Sequence, residues 1–282
     1  FDDYLRDPAN GGAPLTLTLD LTVQAAVERV LGGGMRLMNA KGASAILMEA
    51  ATGEIVAMAS LPDFDPNDRP APPTEGDQSD SPLFNRAVQG VYELGSTFKI
   101  LTAAQALDLG LANPETLIDD RPMRFGTWAP SNFDGRFRGP VRVREALQLS
   151  LNLPAVALLD AVGPAAMMAA LRRAGVEAEL PGGAAGLGIA LGGIGVTLEN
   201  LVALYGAVAR GGTAVVPAWR QGATAEGARV IGPEAAWHLG DILAGLPPPA
   251  GAGPGRIAWK TGTSYGHRDA WALGWDGAHV VG

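Results

Sequence analysis

The sequence contains no cysteine in its 282 residues and only three histidines, His238, His267 and His279. Without cysteine there is no disulfide framework and no thiolate metal site, which fits a protein of an oxidising compartment without requiring one. The histidines are scattered and show neither an HExxH pattern nor paired-ligand spacing. Metal catalysis therefore has no candidate site in this sequence.

Positive charge and long apolar runs are also scarce. The chain has 21 Lys and Arg against 29 Asp and Glu, a net charge of −8, and no basic run, so nucleic-acid binding through phosphate contacts is disfavoured. The longest apolar stretches, 153–159 and 187–196, are short or interrupted by Gly or Pro, and neither predicts a signal peptide or a membrane span. We expect any membrane anchor to lie outside this sequence.

What is present is the composition of a globular protein. Hydrophobic residues make up 47% of the chain, enough to bury a large core. Residues 1–14 are polar, contain Pro and Gly, and are predicted to be the end of a linker. Residues 15–282 are predicted to form one domain, and because the sequence stops in an apolar run at Gly282, we expect it to be truncated at the C-terminus.

The periodicity of apolar residues predicts the architecture. Two apolar runs joined by a turn that contains Gly53 predict a β-hairpin with strands at 43–50 and 54–60. Ahead of it, Asp20 or Thr22 is expected to cap a helix that the glycines at 32–34 interrupt or end. Other predicted elements are a loop at 61–90, helices at 96–109, 142–149, 153–161, 164–174, 197–209 and 234–245, and strands at 256–263, 270–275 and from His279. We predict an α+β fold, with one antiparallel sheet from both chain ends flanked by helices, plus an all-helical lobe and a cleft.

Three short motifs carry the chemistry: Ser96-Thr97-Phe98-Lys99, Ser150-Leu151-Asn152 and Lys260-Thr261-Gly262-Thr263. Each is weak by itself, since an S-x-x-K tetrad arises by chance in roughly half of chains this long. The second motif alone would be read as a helix cap and the third as a turn. In this order, with the first motif opening a helix and the last on a strand, they indicate a serine acyl-transfer site.

The residue types of the motifs suggest a role for each side chain. Ser96 is the candidate nucleophile and Lys99 the base, because positions three apart in a helix share a face. A second cation, Lys260, partial burial and the positive helix end would lower the pKa of Lys99. Ser150 and Asn152 supply a hydroxyl and an amide for proton shuttling and for holding a substrate amide.

The third motif is expected to bind substrate along an edge strand. Lys260 offers a charge to a terminal carboxylate, and Thr261 and Gly262 lie where a substrate backbone would run, with Gly262 leaving room for it. The backbone N–H groups of Ser96 and Thr263 are the predicted oxyanion hole.

These residues resemble the transpeptidase domain of penicillin-binding proteins over nearly the whole chain. The first part resembles class B, division-type (FtsI) enzymes, and the sequence from about Asp119 onward resembles class A enzymes of the PbpC type. Leu94 replaces the more usual proline. The motifs that carry the resemblance lie at 51–60, 65–67, 85–88 and 92–96 in the first part, and at 124–126, 132–135, 150–156 and 260–266 in the second.

The resemblance implies both a reaction and its partners. Ser96 would attack the penultimate D-alanine carbonyl of a peptidoglycan stem peptide, and an acceptor amine of a neighbouring stem peptide would resolve the acyl-enzyme. β-Lactams would inhibit by acylating Ser96, and no metal or organic cofactor would be needed. The resemblance also implies work at the periplasmic face of the inner membrane, with partners from cell-wall synthesis complexes.

Two alternatives stay open on the sequence alone. A β-lactamase or D,D-carboxypeptidase would use the same scaffold, although no Glu-x-x-x-Asn element lies between Asn152 and Lys260 and the second motif is not Ser-x-Val. A β-lactam sensor or divisome scaffold without turnover is the other alternative, although it has no need of an intact Lys99.

Weaker patterns are interpreted more plainly. The glycine-rich stretch 186–192 is expected to pack or to line the cleft rather than to bind a nucleotide. The acidic residues of the long loop are expected to be solvated rather than to bind calcium. These are Asp63, Asp65, Asp68, Asp77 and Asp80. Four aromatic residues, Trp128, Phe133, Tyr265 and Trp271, fit either the cleft or the core.

Overall fold

The computed structural model describes residues 15–68, 70, 81–180, 182–223, 226–249, 251–252 and 256–282. The predicted linker at 1–14, together with Asp77 and Asp80, lies outside the described residues. The strands are β1 (Ala43–Glu49), β2 (Ile55–Leu61), β3 (Tyr92–Glu93), β4 (Leu117–Asp120), β5 (Gly139–Arg142), β6 (Gly195–Val196), β7 (Thr213–Val215), β8 (Glu226–Arg229), β9 (Ala258–Thr263), β10 (Ala270–Trp275) and β11 (His279–Val281). The α-helices are α1 (Leu21–Leu37), α2 (Lys99–Asp108), α3 (Val143–Gln148), α4 (Asn152–Val162), α5 (Pro164–Arg173), α6 (Leu198–Ala209) and α7 (Pro233–Ala244).

Both ends of the described chain build the main sheet, which has five antiparallel strands in the order β2-β1-β11-β10-β9. In the hairpin of β1 and β2, alternate residues such as Ile46, Met48, Ile55 and Ala57 are buried. Since successive side chains of a strand point to opposite faces, the alternation turns one face of the hairpin toward the core. The predicted sheet is confirmed, and β9 is one of its two edge strands.

The helices cover this sheet and form the second lobe. α6 is almost wholly buried and packs against β1 and β10, while α2 packs against α4 and α7. The fully buried Tyr205 of α6 contacts the Trp275 ring edge to face, with ring centroids 5.9 Å apart. Its hydroxyl donates a hydrogen bond of 2.8 Å to the Thr97 carbonyl, so the segment before α2 is tied to the core.

The prediction that the glycines at 32–34 interrupt or end the first helix is wrong, because α1 continues to Leu37. Asp20 caps it as predicted, with its carboxylate accepting from the Thr22 and Val23 N–H groups at 2.8 and 3.0 Å. Glycine costs a helix about 1 kcal/mol relative to alanine but does not forbid it. The Gln24 amide holds α1 on β2 by pairing with both backbone groups of Met58.

Among the described residues, no single helix is long and apolar enough to cross a membrane. α4 and α5, bent by 83° at their junction, pass such a test together on length and composition alone. In this structure α4 is part of the core, where Leu153, Val156 and Leu159 are fully buried.

Candidate active site

The three sequence motifs meet in one open cleft of about 880 Å³. Its lining includes Ser96, Ser150, Asn152 and the 261–263 end of β9. The lysines of the first and third motifs lie behind this lining, since Lys99 is 1% and Lys260 4% exposed. The fold thus brings together all the side chains that the sequence predicted to act as one site.

Ser96 lies in a short 3-10 helix, Gly95–Phe98, which leads into α2. The sequence predicted a helix from Ser96 onward, but the α-helix begins only at Lys99. The buried Thr97 and Phe98 side chains anchor this turn, while Ser96 is partly exposed to the cleft. Within the described part of the chain, the Ser96 hydroxyl has no hydrogen-bond partner, so it is free to meet a ligand.

The Lys99 ammonium is held by the second motif. Its Nζ donates to the Ser150 carbonyl oxygen and to Asn152 Oδ1, both at 2.6 Å, and lies 3.4 Å from Ser150 Oγ. Ser150 is a non-glycine residue with a φ of 56°, in the left-handed region that such residues seldom occupy. This strained conformation is part of how its carbonyl reaches Lys99, and strain of this kind is concentrated at functional sites.

Ser150 also joins the two lysines. Lys260 Nζ donates to Ser150 Oγ at 2.8 Å and to the Thr261 carbonyl at 2.7 Å. Burial lowers the pKa of the Lys99 ammonium well below its usual value, and the nearby Lys260 ammonium lowers it further. Burial lowers the pKa of Lys260 to about 8. Two lysines with lowered pKa values therefore lie on either side of one hydroxyl.

Asn152 is also held by a segment to which the sequence analysis gave no role. Its N–H donates to Asn132 Oδ1 and its Nδ2 donates to the Ser131 carbonyl, both at 2.7 Å. Asn132 Nδ2 in turn donates to both carboxylate oxygens of Asp120, at 2.8 and 2.9 Å. The sequence offered a resemblance at 132–135 but no signal for Asp120, because these contacts depend on how a loop folds over β4.

The nucleophile turn and β9 are in direct backbone contact. Gly95 has a φ of 55°, and a Cβ there would overlap the Thr263 carbonyl oxygen. A Cβ on Gly262 would lie 2.8 Å from the Leu94 oxygen and 2.9 Å from the Thr97 nitrogen. Packing inside the protein thus requires a residue without a side chain at position 262. The sequence had predicted instead that Gly262 leaves room for substrate. These contacts set the distance between Ser96 and the third motif.

We predict that Gly95→Ala destabilises the fold more than Gly110→Ala. Both glycines have positive φ, at 55° and 67°, but a Cβ on Gly110 meets nothing within 4 Å. Gly110→Ala should therefore cost only the left-handed conformation, about 1–2 kcal/mol. Gly95→Ala should add about 1–3 kcal/mol for overpacking against β9. Urea unfolding of both variants measures the difference, and equal losses would contradict the close contact.

Exposed aromatic side chains form the rim of the cleft. Phe133 is 82% and Tyr265 89% exposed, and Trp128 and His267 also line the cleft. Phe133 and His267 contact each other edge to face, with ring centroids 5.7 Å apart. Trp271 instead packs against the core and donates to the Glu93 carbonyl. The alternatives left open by the sequence thus separate: three aromatic residues line the cleft and one belongs to the core.

The glycine-rich stretch contributes a wall of the cleft. Residues Leu187–Leu191 form a 3-10 helix, and Gly188, Leu191, Gly192 and Gly193 line the cleft. This agrees with the predicted cleft or packing role. Within the described ranges, no group of three or more His, Cys, Asp or Glu side chains is arranged to hold a metal ion.

The chain is similar in sequence to a known protein family and to several of its members. The family model described as penicillin binding protein transpeptidase domain matches residues 43–278. Penicillin-binding protein 1C of Escherichia coli (strain K12) is 42% identical over 200 residues, covering 69% of this chain and 26% of that protein. The probable peptidoglycan D,D-transpeptidase FtsI of Caulobacter vibrioides is 36% identical over 164 residues, covering 57% of this chain and 27% of that protein. The chain spans about a quarter of the length of these relatives.

Solved structures support the same grouping at the level of the fold. Penicillin-binding protein A from M. tuberculosis, in an imipenem acyl-enzyme complex, superposes with a TM-score of 0.81 at 23% identity, covering 100% of this chain and 78% of that chain. A peptidoglycan glycosyltransferase from Burkholderia ambifaria superposes with a TM-score of 0.76 at 22% identity, covering 94% and 88%. The predicted α+β fold class is confirmed. The change of subfamily resemblance near residue 119 stays a prediction.

Proposed function

The chain belongs to the family of penicillin-binding protein transpeptidase domains, and from that premise we propose that it is a serine D,D-transpeptidase. It would cross-link peptidoglycan stem peptides through an acyl-enzyme at Ser96. The observation that carries the proposal is the network beside Ser96, in which Lys99 and Lys260 contact the same Ser150 hydroxyl. Family membership supports the reaction class, and the network supports the roles of the individual residues.

The first step needs a base for the Ser96 proton, and Lys99 is suited to be that base. A neutral amine has two N–H bonds and one lone pair. The Ser150 carbonyl and Asn152 Oδ1, each 2.6 Å from Nζ, accept both N–H bonds, so the lone pair is left free. Because the pKa of Lys99 is lowered by burial and by Lys260, the neutral form is populated closer to neutral pH than for an ordinary lysine.

In the acylation step Ser96 loses one proton and the leaving nitrogen gains one. Ser96 Oγ forms a bond to the carbonyl carbon of the penultimate D-alanine while Lys99 takes its proton. The bond from that carbon to the nitrogen of the terminal D-alanine breaks, and the nitrogen receives a proton. Ser150 Oγ, between Lys99 and Lys260, is placed to pass that proton on. Free D-alanine leaves and an ester on Ser96 remains.

The second step reverses the roles of these groups. The amine of a neighbouring stem peptide attacks the ester carbon and gives up a proton, and Ser96 Oγ leaves and recovers its own proton. In both steps the Ser96 and Thr263 N–H groups would stabilise the negative oxygen. In its ammonium form, Lys260 would attract the terminal carboxylate of the donor peptide. Ser150 and the 261–263 backbone would lie between these two charges.

The substrates and setting follow from the same premise. The donor is a stem peptide ending in D-alanyl-D-alanine and the acceptor an amine of a second stem peptide. The protein would act at the periplasmic face of the inner membrane, with partners from cell-wall synthesis complexes. β-Lactams would inhibit by acylating Ser96. Support comes from relatives named for penicillin binding and D,D-transpeptidation.

The function is tested with lipid-linked peptidoglycan precursors and with a chromogenic cephalosporin. We expect purified protein to release D-alanine and form a cross-linked dimer in equal amounts. With the cephalosporin we expect one burst of about one equivalent and then almost no turnover, because a transpeptidase site has no dedicated base for a deacylating water.

Each other outcome identifies a different activity. D-alanine release without a dimer would identify a carboxypeptidase. Sustained cephalosporin hydrolysis would identify a β-lactamase. A burst without any reaction of the precursors would identify a sensor or scaffold.

A further inference from the structure

Asn152 is held in place by hydrogen bonds to residues outside the three motifs. Asn152 N–H begins α4, where a helix leaves its first N–H groups without internal partners. Asn132 Oδ1 accepts this N–H at 2.7 Å, and the Ser131 carbonyl accepts from Asn152 Nδ2 at 2.7 Å. With Nδ2 held by Ser131, the amide oxygen of Asn152 is turned toward Lys99, 2.6 Å away. Two adjacent loop residues therefore hold both the backbone and the side chain of Asn152.

The orientation of Asn132 is fixed by a buried carboxylate. Asp120 is fully buried and accepts from Asn132 Nδ2 with both oxygens and from the Arg138 N–H at 2.9 Å. The Arg136 carbonyl accepts from the same Nδ2 at 2.8 Å. An ionised carboxylate and a carbonyl only accept, so Nδ2 must face them and Oδ1 must face Asn152. The reverse orientation would set an amide oxygen against two acceptors and an N–H group against the Asn152 N–H.

From this chain of contacts we propose that Asp120 and Asn132 are positioning residues for the transpeptidase reaction. They hold the Asn152 amide oxygen on Lys99 and so keep one N–H bond of Lys99 engaged, which leaves its lone pair free to take the Ser96 proton. The proposal rests on the proposed function, because it concerns the acylation step. Asp120 is not among the residues that line the cleft, and Asn132 lines it but is only 4% exposed. Both act through Asn152 in this role, so they are positioning residues rather than catalytic ones.

A purely structural role is the competing explanation, and it makes a different prediction. If the pair only stabilised the loop over β4, its loss would reduce the fraction of folded protein and leave the rate constant of the folded fraction unchanged. If the pair positions Asn152, the folded fraction would bind a penicillin normally and acylate slowly. The acylation rate constant, the dissociation constant of the pre-acylation complex and the burst amplitude separate the two roles.

The main variant is Asp120→Asn, measured by stopped flow with a fluorescent penicillin. In either orientation the new amide sets an N–H group against Asn132 Nδ2, and in one orientation also against the Arg138 N–H, so the hydrogen bonds no longer fix the orientation of Asn132. We expect the acylation rate constant to fall about 10- to 100-fold, as for a reacting group misplaced by up to an ångström. The dissociation constant should change by no more than about threefold, because the 261–263 segment of β9 is untouched and only the contact of Asn152 with a substrate amide is weakened.

Asp119→Asn is the matched control. Asp119 precedes Asp120 on β4 but is exposed, and its one ion pair among the described residues is with Arg121, at 3.4 Å. Exposed ion pairs contribute little, so we expect an acylation rate constant within about twofold of the wild type. Asn132→Ala is the second test variant. It breaks the same series of hydrogen bonds, but the Asp120 carboxylate keeps its contact with the Arg138 N–H.

The outcomes separate this proposal from the proposed function. No acylation of the wild type would overturn the proposed function itself. Normal wild-type acylation with unchanged rate constants in Asp120→Asn and Asn132→Ala would overturn only the positioning role. A smaller burst amplitude with a wild-type rate constant in the remaining fraction would also overturn it, because the pair would then serve folding alone. Slow acylation with a normal dissociation constant in both variants supports it.

Discussion

Ser96→Ala is expected to form no covalent adduct with a fluorescent penicillin or with a stem-peptide donor. The hydroxyl oxygen that becomes the ester is missing, and alanine offers no replacement. Because the Ser96 hydroxyl makes no hydrogen bond in the described structure, its loss should change the free energy of unfolding by less than about 0.5 kcal/mol. Intact-protein mass spectrometry measures the adduct, and urea unfolding verifies that the variant is folded.

The control for this variant is Ser44→Ala. Ser44 lies on β1, outside the residues that line the cleft. This variant should gain the mass of one penicillin, as the wild type does, and the adduct should map to the peptide that contains Ser96. Labelling that persisted in Ser96→Ala would remove Ser96 from the role of nucleophile and, with it, the proposed mechanism.

Replacement of Lys99 is the second large effect. We expect both Lys99→Met and Lys99→Arg to acylate about 10⁴-fold more slowly than the wild type, the scale seen when one member of a nucleophile–base unit is removed. Methionine removes the base. Arginine keeps a cation and several donors but cannot be deprotonated in a protein. The pair of variants therefore distinguishes a base from a fixed positive charge. An arginine variant within about tenfold of the wild type would show that Lys99 acts only by its charge.

The same assignment has a pH signature in the wild type. Burial and Lys260 lower the pKa of Lys99, so the acylation rate should rise as pH increases through this lowered value, well before an ordinary lysine would titrate. Lys260 loses its proton as pH rises through about 8, and with it the attraction for the substrate carboxylate, so the rate should then fall. A bell-shaped profile is expected. A rate that increased only near the pKa of a free lysine would contradict the depressed pKa.

Elements with a strong local pattern could be predicted from the sequence. The hairpin of β1 and β2 and the closing strand β10 follow from short apolar runs, and the hairpin also from the glycine turn between its strands, signals that depend only on neighbouring residues. The end of α1 could not, because the packing of this helix on β2, which includes the Gln24 contacts with Met58, depends on residues distant in sequence. The 3-10 turn at Ser96 was missed for the same kind of reason, since Tyr205, 108 positions away, holds the Thr97 carbonyl.

The candidate site, like the fold, has a part that could be predicted from the sequence and a part that could not. The sequence alone identified the candidate side chains, because a serine, two lysines and an amide in three ordered motifs are chemically specific even when each motif is not. Only the tertiary structure decided how they are arranged. It buries Lys99 and Lys260 together, bridges them with a hydroxyl that is 110 positions from Lys260, and braces Asn152 with Asn132 and Asp120. These effects depend on desolvation and on contacts between distant segments, which no local pattern of residues encodes.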